Sequence, residues 1–346
     1  MPNEVLTKAI DALAARRDLS ADESAEVLAQ IMHGEVSETQ IAAFLIALRT
    51  KGETIQELAG LARTMRELAA HVPTARTDLL DTSGTGGGPR TFNVSTTAAL
   101  IAAGAGCAVA KHGNRSATSP CGSADVLEAL GARIDLDPTG VAGCIEEAGF
   151  GFMFAPAHHQ ATRFVIPVRR ELGVRTVFNL LGPLTNPASA SRQLIGVSDP
   201  ACLETVAGAL ASLGVEHALV VSSEDGLDEI STSAATRMIE VRGDELRAYA
   251  LTPGDVGIAL APRDYEGGSP EQNAQVTRAI LEGEQGPRAE LALINAGAAI
   301  YVAGAAASIA EGVERARAVL AEGGAAQALA SYVQVSQRHA PAGAAS

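Results

Sequence analysis

The sequence predicts an α/β protein in which a small all-helical domain precedes a larger α/β domain with a central, mostly parallel sheet flanked by helices. Three observations lead there. Apolar residues recur at helical spacing through residues 1–72. Beyond residue 78, short apolar runs alternate with helical stretches, the pattern of strand–helix units in a parallel sheet. Residue pairs that start and stop helices bracket those stretches. The 346 residues suffice for about two folding units. With 47% hydrophobic residues, 3% aromatics and no tryptophan, the core must be built from Ala, Leu, Val and Ile.

In the helical part, Leu6, Ile10 and Leu13 form one stripe, Val27, Ile31 and Met32 a second, and Ile41, Phe44, Leu45 and Leu48 a third. Ser20 with Glu23 and Ser37 with Gln40 read as capping boxes. Residues 73–78 follow neither period and read as a connector. Strands are expected at 107–110, 133–136, 150–155, 194–197 and 218–222. Asp137-Pro138 and Asp199-Pro200 are helix starts, while Gly149 and Gly214 sit where helices should stop. Residues 237–241 and 246–251 alternate across Gly243-Asp244 as a hairpin added to the sheet. Helices return after about residue 272, and residues 340–346 should fray.

The longest stretch free of both charge and strong polarity, 98–110, is shorter than the ~18 residues a spanning helix needs and is interrupted by Gly104 and Gly106, so no membrane segment is expected. The N-terminus carries acids at helical spacing and lacks the pattern of a secretory signal. Cys107, Cys121, Cys144 and Cys202 show no C-x-x-C spacing and are expected reduced, in a cytoplasmic protein. The net charge of −14 disfavours nucleic acid and anionic membranes as partners. A polyanionic small molecule would have to be held by a local device: backbone amides, one or two cations, or a metal ion.

Four clusters could carry chemistry. In the first, Asp81-Thr82-Ser83 leads into Gly84, Gly86, Gly87 and Gly88, then through Arg90, Thr91 and Asn93 to a hydroxyl-rich helix start at Ser95-Thr96-Thr97. Glycines let backbone amides approach a ligand, and a helix start adds partial positive charge, so this segment reads as an anion cradle more than as a plain turn. Two familiar phosphate motifs fail: G-x-G-x-x-G would need glycine at Pro89, and no G-x-x-x-x-G-K-[ST] occurs.

The second cluster, Lys111-His112-Gly113-Asn114-Arg115-Ser116-Ala117-Thr118-Ser119, follows an apolar run and precedes Gly122-Ser123 at a helix start. Two cations, an amide and hydroxyls at a strand end suit a polyanion and a sugar; His112 could equally be a structural hydrogen bonder. The third, Ser223-Glu224-Asp225-Gly226-Leu227-Asp228-Glu229, reads either as a solvated acidic turn or as a seat for a hard cation, since Mg²⁺ usually takes one or two carboxylates plus substrate phosphates. The fourth holds His158-His159, Arg169-Arg170 and the stretch Phe178 to Pro187. Adjacent histidines point apart, which makes surface or capping roles the expectation. Arg169 could grip a carboxylate bidentately or simply pack.

With the glycine loop, the Lys111 to Ser116 segment and the acidic loop in this order, the chain closely resembles the anthranilate phosphoribosyltransferase family. The resemblance extends from Gly34-Glu35-Val36-Ser37, Gln40 to Phe44 and Lys51 to Thr54 through Thr91 to Thr96, Lys111 to Ser116, Gly122 to Gly131, Asn179 to Pro187 and Gly226 to Glu229, which is most of the chain. It implies transfer of the 5-phosphoribosyl group from phosphoribosyl pyrophosphate (PRPP) to the amine of anthranilate in tryptophan biosynthesis, with two Mg²⁺ ions. It also implies a homodimer formed through the helical parts. In domain terms, it implies that 1–72 and the returning segment 162–190 form the helical domain, and that 73–161 and 191–346 form the α/β domain. The donor site it implies comprises Gly84, Gly87, Gly88, Thr91, Asn93, Val94, Ser95, Thr96, Lys111, His112, Gly113, Asn114, Arg115, Ser116, Ala117, Thr118, Ser119 and Ser123. Its metal ligands map onto Ser95, Asp228 and Glu229, and its anthranilate contacts onto Gly84, Asn114 and Arg169. One departure stands out: the family usually reads Gly-Thr-Gly-Gly-Asp-Gly, whereas Gly84-Thr85-Gly86-Gly87-Gly88-Pro89 lacks the acid. The alternatives are a pyrimidine-nucleoside phosphorylase of the same fold and a catalytically inactive nucleic-acid-binding paralogue.

Overall fold

A computed structural model describes residues 2–116 and 119–340. Four helices open the chain: α1 (Glu4–Ala14), α2 (Ala21–Met32), α3 (Glu38–Lys51) and α4 (Ile55–Glu67). The box at Ser20 and Glu23 is reciprocal. Ser37 accepts from the Gln40 amide, but the Gln40 side chain instead makes two bonds to the Asn3 backbone, so it ties the start of α3 to the start of α1. A second reciprocal box, Thr54 with Glu57, starts α4; the buried Glu57 carboxylate also accepts from Leu19 N and pairs with Lys51 at 2.9 Å. The three expected stripes face one core, where Leu6, Leu28, Ile31, Leu45 and Leu48 are fully buried. Each such side chain contributes about 2 kcal/mol.

The sheet is laid down by β1 (Leu80–Gly84), α5 (Val94–Gly104), β2 (Val109–Gly113), α6 (Ser123–Ala129), α7 (Pro138–Ala148) and β3 (Phe150–Phe154). Three short helices, α8 (Ala155–His158), α9 (Ile166–Leu172) and α10 (Phe178–Leu184), cross back, α9 packing on α3 and α10 on α4. Next come β4 (Arg192–Gly196), α11 (Leu203–Ser212), β5 (His217–Ser223) and the hairpin β6 (Thr236–Arg242) and β7 (Glu245–Leu251). The chain finishes with α12 (Pro270–Leu281), α13 (Pro287–Val302), α14 (Ile309–Ala321) and α15 (Gly324–Arg338). Asp137 caps α7 with Pro138 in its first turn, and Gly149 ends it in the left-handed conformation.

The strand order is β3-β2-β1-β4-β5-β6-β7, parallel from β3 to β5 and antiparallel beyond. Alternate residues serve opposite cores: Leu194, Leu219 and Val221 face α5 and α13–α15, while Ile195, Val197, Ala218 and Val220 face α11 and the helical part. The chain moves outward through β2 and β3, then restarts on the other side of β1 with β4. This reversal puts a crevice at the carboxyl ends of β1 and β4, where Gly84 and Gly196 stand side by side.

Two expectations need correction. Residues 133–136 are not a strand: Arg133 N donates to Ser336 Oγ at 3.0 Å, Ile134 and Leu136 turn inward, and this extended segment is pinned to α15 instead of a sheet neighbour. β2 does not stop at Ala110 but continues through Lys111 and His112 to Gly113, paired residue for residue with β3. No helix among the described residues is long and apolar enough to cross a membrane.

Candidate active site

The first and third clusters meet in the crevice. The acidic loop after β5 crosses the ends of β1 and β4 so closely that only glycine fits beneath it. A Cβ on Gly84 would lie 2.5 Å from Asp228 Oδ2, and one on Gly196 would overlap the Asp228 carbonyl. Gly86 and Gly87 have φ of +64° and +87°, the left-handed region that glycine occupies without strain. The Gly86 amide donates to Asp228 Oδ2 at 2.8 Å. In the next peptide, the Gly86 carbonyl accepts from Ser198 Oγ and Arg175 Nη2, both at 2.8 Å. Gly88 approaches the acidic loop through backbone alone, a Cβ there lying 2.7 Å from the Gly226 carbonyl.

The loop then returns past Thr91 to α5. Asn93 stands at the helix start but does not cap it; its Oδ1 accepts from Asn273 Nδ2 at 2.8 Å and from Cys121 Sγ. Val94 and Thr96 are buried, while Ser95 is partly exposed toward the crevice. No Asn93 side-chain cap closes the first turn of α5: the Val94 amide donates to the Phe92 carbonyl, the Ser95 amide faces the Glu229 carboxylate, and the helix start carries its partial positive charge.

The second cluster behaves differently. Successive strand residues face opposite sides, so Lys111 and His112 leave β2 in opposite directions and both are buried. Lys111 Nζ donates to the Thr82 carbonyl and lies 3.4 Å from both Thr82 Oγ1 and Ser95 Oγ. Burial lowers its pKa, opposed by the charges of Asp81 and Glu229. His112 Nδ1 lies 3.2 Å from the Gly182 carbonyl, and burial with His159 and His158 nearby holds its pKa well below the ordinary value, leaving a neutral ring. Beyond Gly113 the chain is at the surface. Asn114 Oδ1 accepts from Arg115 N, and Ser123 Oγ donates to the Asn114 carbonyl. Ser116 and Ser119 share a 2.5 Å hydroxyl contact. The Arg115 guanidinium pairs with Asp125 at 2.7 Å and Glu128 at 2.5 Å, so its charge is spent on α6. Ala117 and Thr118 lie outside the described residues.

The acidic loop divides its work. Asp225 is internal, accepting from Ser223 Oγ and Ser231 Oγ and pairing with Arg263 at 3.4 Å. Asp228 and Glu229 have no ion-pair partner within bonding distance among the described residues. Burial pushes both upward, Glu229 well above the ordinary carboxylate value with the charge of Asp228 adding to the effect. Two adjacent carboxylates that repel each other near the Ser95 hydroxyl form a hard oxygen donor set, which fits Mg²⁺. Among the described residues no group of three or more His, Cys, Asp or Glu side chains could hold a metal ion.

In the fourth cluster both histidines are buried, against the expectation of surface roles, because α8 tucks between the sheet and the helical part. His158 Nδ1 meets the Ala70 carbonyl at 2.9 Å and His159 Nε2 the Thr185 carbonyl at 3.0 Å. Arg169 projects from α9 over the Phe178 ring at 5.4 Å and has no acid partner among the described residues; burial lowers its pKa. Sequence reasoning missed three contributors. Asp81 is buried and organises β1 and β2 by accepting from His112 N and Asn186 Nδ2. Gly196 makes room for Asp228, and Arg175 holds the glycine loop. An acid before the glycines was visible; the other two had no local signal.

A helical bundle joined to an α/β domain with an anion cradle at the switch point defines a class. Residues 7–69 match the helical bundle domain of the glycosyl transferase family, and residues 76–326 its a/b domain. Over 304 residues the chain is 53% identical to the anthranilate phosphoribosyltransferase of Symbiobacterium thermophilum, covering 87% of this chain and 89% of that one. The crystal structure of the Thermus thermophilus enzyme of that name superposes with a TM-score of 0.90 at 48% identity, covering 95% and 99% of the two chains. The Saccharomyces cerevisiae enzyme in complex with PRPP and Mg gives 0.88 at 25% identity, covering 97% and 99%. The chain belongs to the anthranilate phosphoribosyltransferase family.

Proposed function

We propose that this chain transfers the 5-phosphoribosyl group of PRPP to the amine of anthranilate, giving N-(5-phosphoribosyl)anthranilate and pyrophosphate in tryptophan biosynthesis. The observation that carries the reading is the passage of Asp228 over Gly84 and Gly196. It brings a backbone-amide cradle, two carboxylates without an ion-pair partner among the described residues, and the start of α5 to one crevice.

The aromatic amine attacks through its lone pair and needs no base beforehand. A C–N bond forms at the anomeric carbon as the bond to pyrophosphate breaks, and the amine sheds its proton afterwards. The protein must therefore receive negative charge on the leaving group and hold two substrates in line. The glycine-loop amides and the positive start of α5 receive phosphate, with Asn93 to Thr96, the 111–116 segment, Ser119 and Ser123 completing the donor site. Lys111 reaches it from behind, fixing Thr82 and placing positive charge beside Glu229. Ser95, Asp228 and Glu229 would hold two Mg²⁺ ions, which neutralise charge on the pyrophosphate when bound. Arg169, free of acids, takes the anthranilate carboxylate, while Asn114 and the Gly84 backbone orient its ring. We further propose a cytoplasmic homodimer formed through the helical part, with no role for nucleic acid.

The test is direct. Incubation with Mg²⁺, PRPP and anthranilate should extinguish anthranilate fluorescence; no loss, with phosphorolysis of thymidine or uridine instead, overturns the reading. Arg169→Ala should raise the anthranilate KM by about tenfold and leave the PRPP KM nearly unchanged.

A further inference from the structure

The Arg175 guanidinium touches the glycine loop at Gly86 and Gly87, and it comes from the segment that packs on the helical part. Arg175 lies between α9 and α10, and its own carbonyl accepts from Arg49 Nη1, in the last turn of α3, at 2.7 Å. Its Nη2 donates to the Gly86 carbonyl at 2.8 Å and its Nη1 to Ser198 Oγ at 3.1 Å. The group lies against Gly87, where a Cβ would come within 2.7 Å of Nη1. It has no ion-pair partner among the described residues, unlike Arg115.

We propose that Arg175 is a positioning residue that fixes the glycine loop for the donor and couples the loop to the helical domain; the proposal rests on the phosphoribosyl-transfer reading above. The loop needs such a device because Gly86 and Gly87 are both left-handed and offer many other conformations. A peptide unit is planar and trans, so its C=O and N–H point in opposite directions. Anchoring the Gly86 carbonyl on Arg175 therefore sets the direction of the Gly87 amide, away from the guanidinium. The preceding amide, that of Gly86, is held by Asp228. The restraints act on either side of one residue: Asp228 of the acidic loop holds the amide, and Arg175 holds the carbonyl together with Ser198 Oγ, which it also positions.

Two measurements decide the matter. In ligand-free protein, amide hydrogen exchange across residues 85–88 should accelerate by about tenfold in Arg175→Ala, the loss expected for one charged hydrogen bond. In steady-state kinetics the PRPP KM should rise by a similar factor, about tenfold, with the anthranilate KM within about twofold. Arg175→Lys, which keeps one bond, should recover part of both effects, and Arg49→Ala should act in the same direction more weakly. Unchanged exchange, an unchanged PRPP KM, or equal rises in both KM values overturns the proposal. Failure of the wild-type protein to consume anthranilate would instead overturn the functional reading, while exchange in the loop still reports on the restraint.

Discussion

The glycine loop and the 111–116 segment look alike in sequence, each a polar cluster after an apolar strand, yet the fold uses them in opposite ways. The glycine loop leaves β1 at Gly84 and spreads its backbone across the crevice, held by Asp228 on one side and Arg175 on the other. In the second segment the strand continues through the polar residues, so Lys111 and His112 become buried supports on opposite faces of β2. The cations of that segment are thus committed before any ligand arrives, Lys111 to Thr82 and Arg115 to Asp125 and Glu128. On the proposed function, recognition of a polyanion in a chain of net charge −14 would fall mainly to amides, a helix start and a recruited metal ion.

The contrast can be broken at several points. Gly196→Ala forces a Cβ into the Asp228 backbone and should lower turnover about a hundredfold, because the acidic loop must move relative to the cradle; steady-state rates within threefold of wild type would mean the loop tolerates the shift. Lys111→Met should cost about 3 kcal/mol in urea unfolding, since it leaves Asp81 and Glu229 without their nearest cation. Lower donor affinity at unchanged stability would assign Lys111 to phosphate alone. The buried imidazoles set a pH limit. Burial lowers the His159 pKa to about 4 from its ordinary 6.5, so the fold prefers the neutral ring. Its contribution is complete above the ordinary value and is lost as pH falls toward the folded one, about 2 kcal/mol between pH 7 and pH 5. His159→Gln should flatten that part of the stability profile. The smallest effect belongs to Arg115→Ala, for which the PRPP KM should change by less than about threefold because the exposed guanidinium already serves two acids. A rise beyond tenfold would show that it leaves them for the donor.

Much of this was legible locally. The helical stripes, the caps at Ser20 and Asp137, the stop at Gly149 and the hairpin each depend on residues close in sequence. The cradle and the acidic loop were readable as types of chemistry for the same reason. What escaped depends on distant partners. Residues 133–136 carry strand alternation but are bonded to Ser336 and not to a strand. The end of β2 is set by pairing with β3, which carries Lys111 and His112 inward. Gly196 shows no motif because its purpose is to make room for a residue more than thirty positions later.

The central claim is that the crevice between Gly84 and Asp228 receives the diphosphate together with Mg²⁺. Calorimetric titration of pyrophosphate into the wild-type protein and Asp228→Asn, with and without Mg²⁺, tests it most directly. Mg²⁺ should tighten pyrophosphate binding to the wild type, and Asp228→Asn should lose at least about tenfold of that gain. Equal binding with and without Mg²⁺, or an undiminished Mg²⁺ effect in the variant, would contradict it.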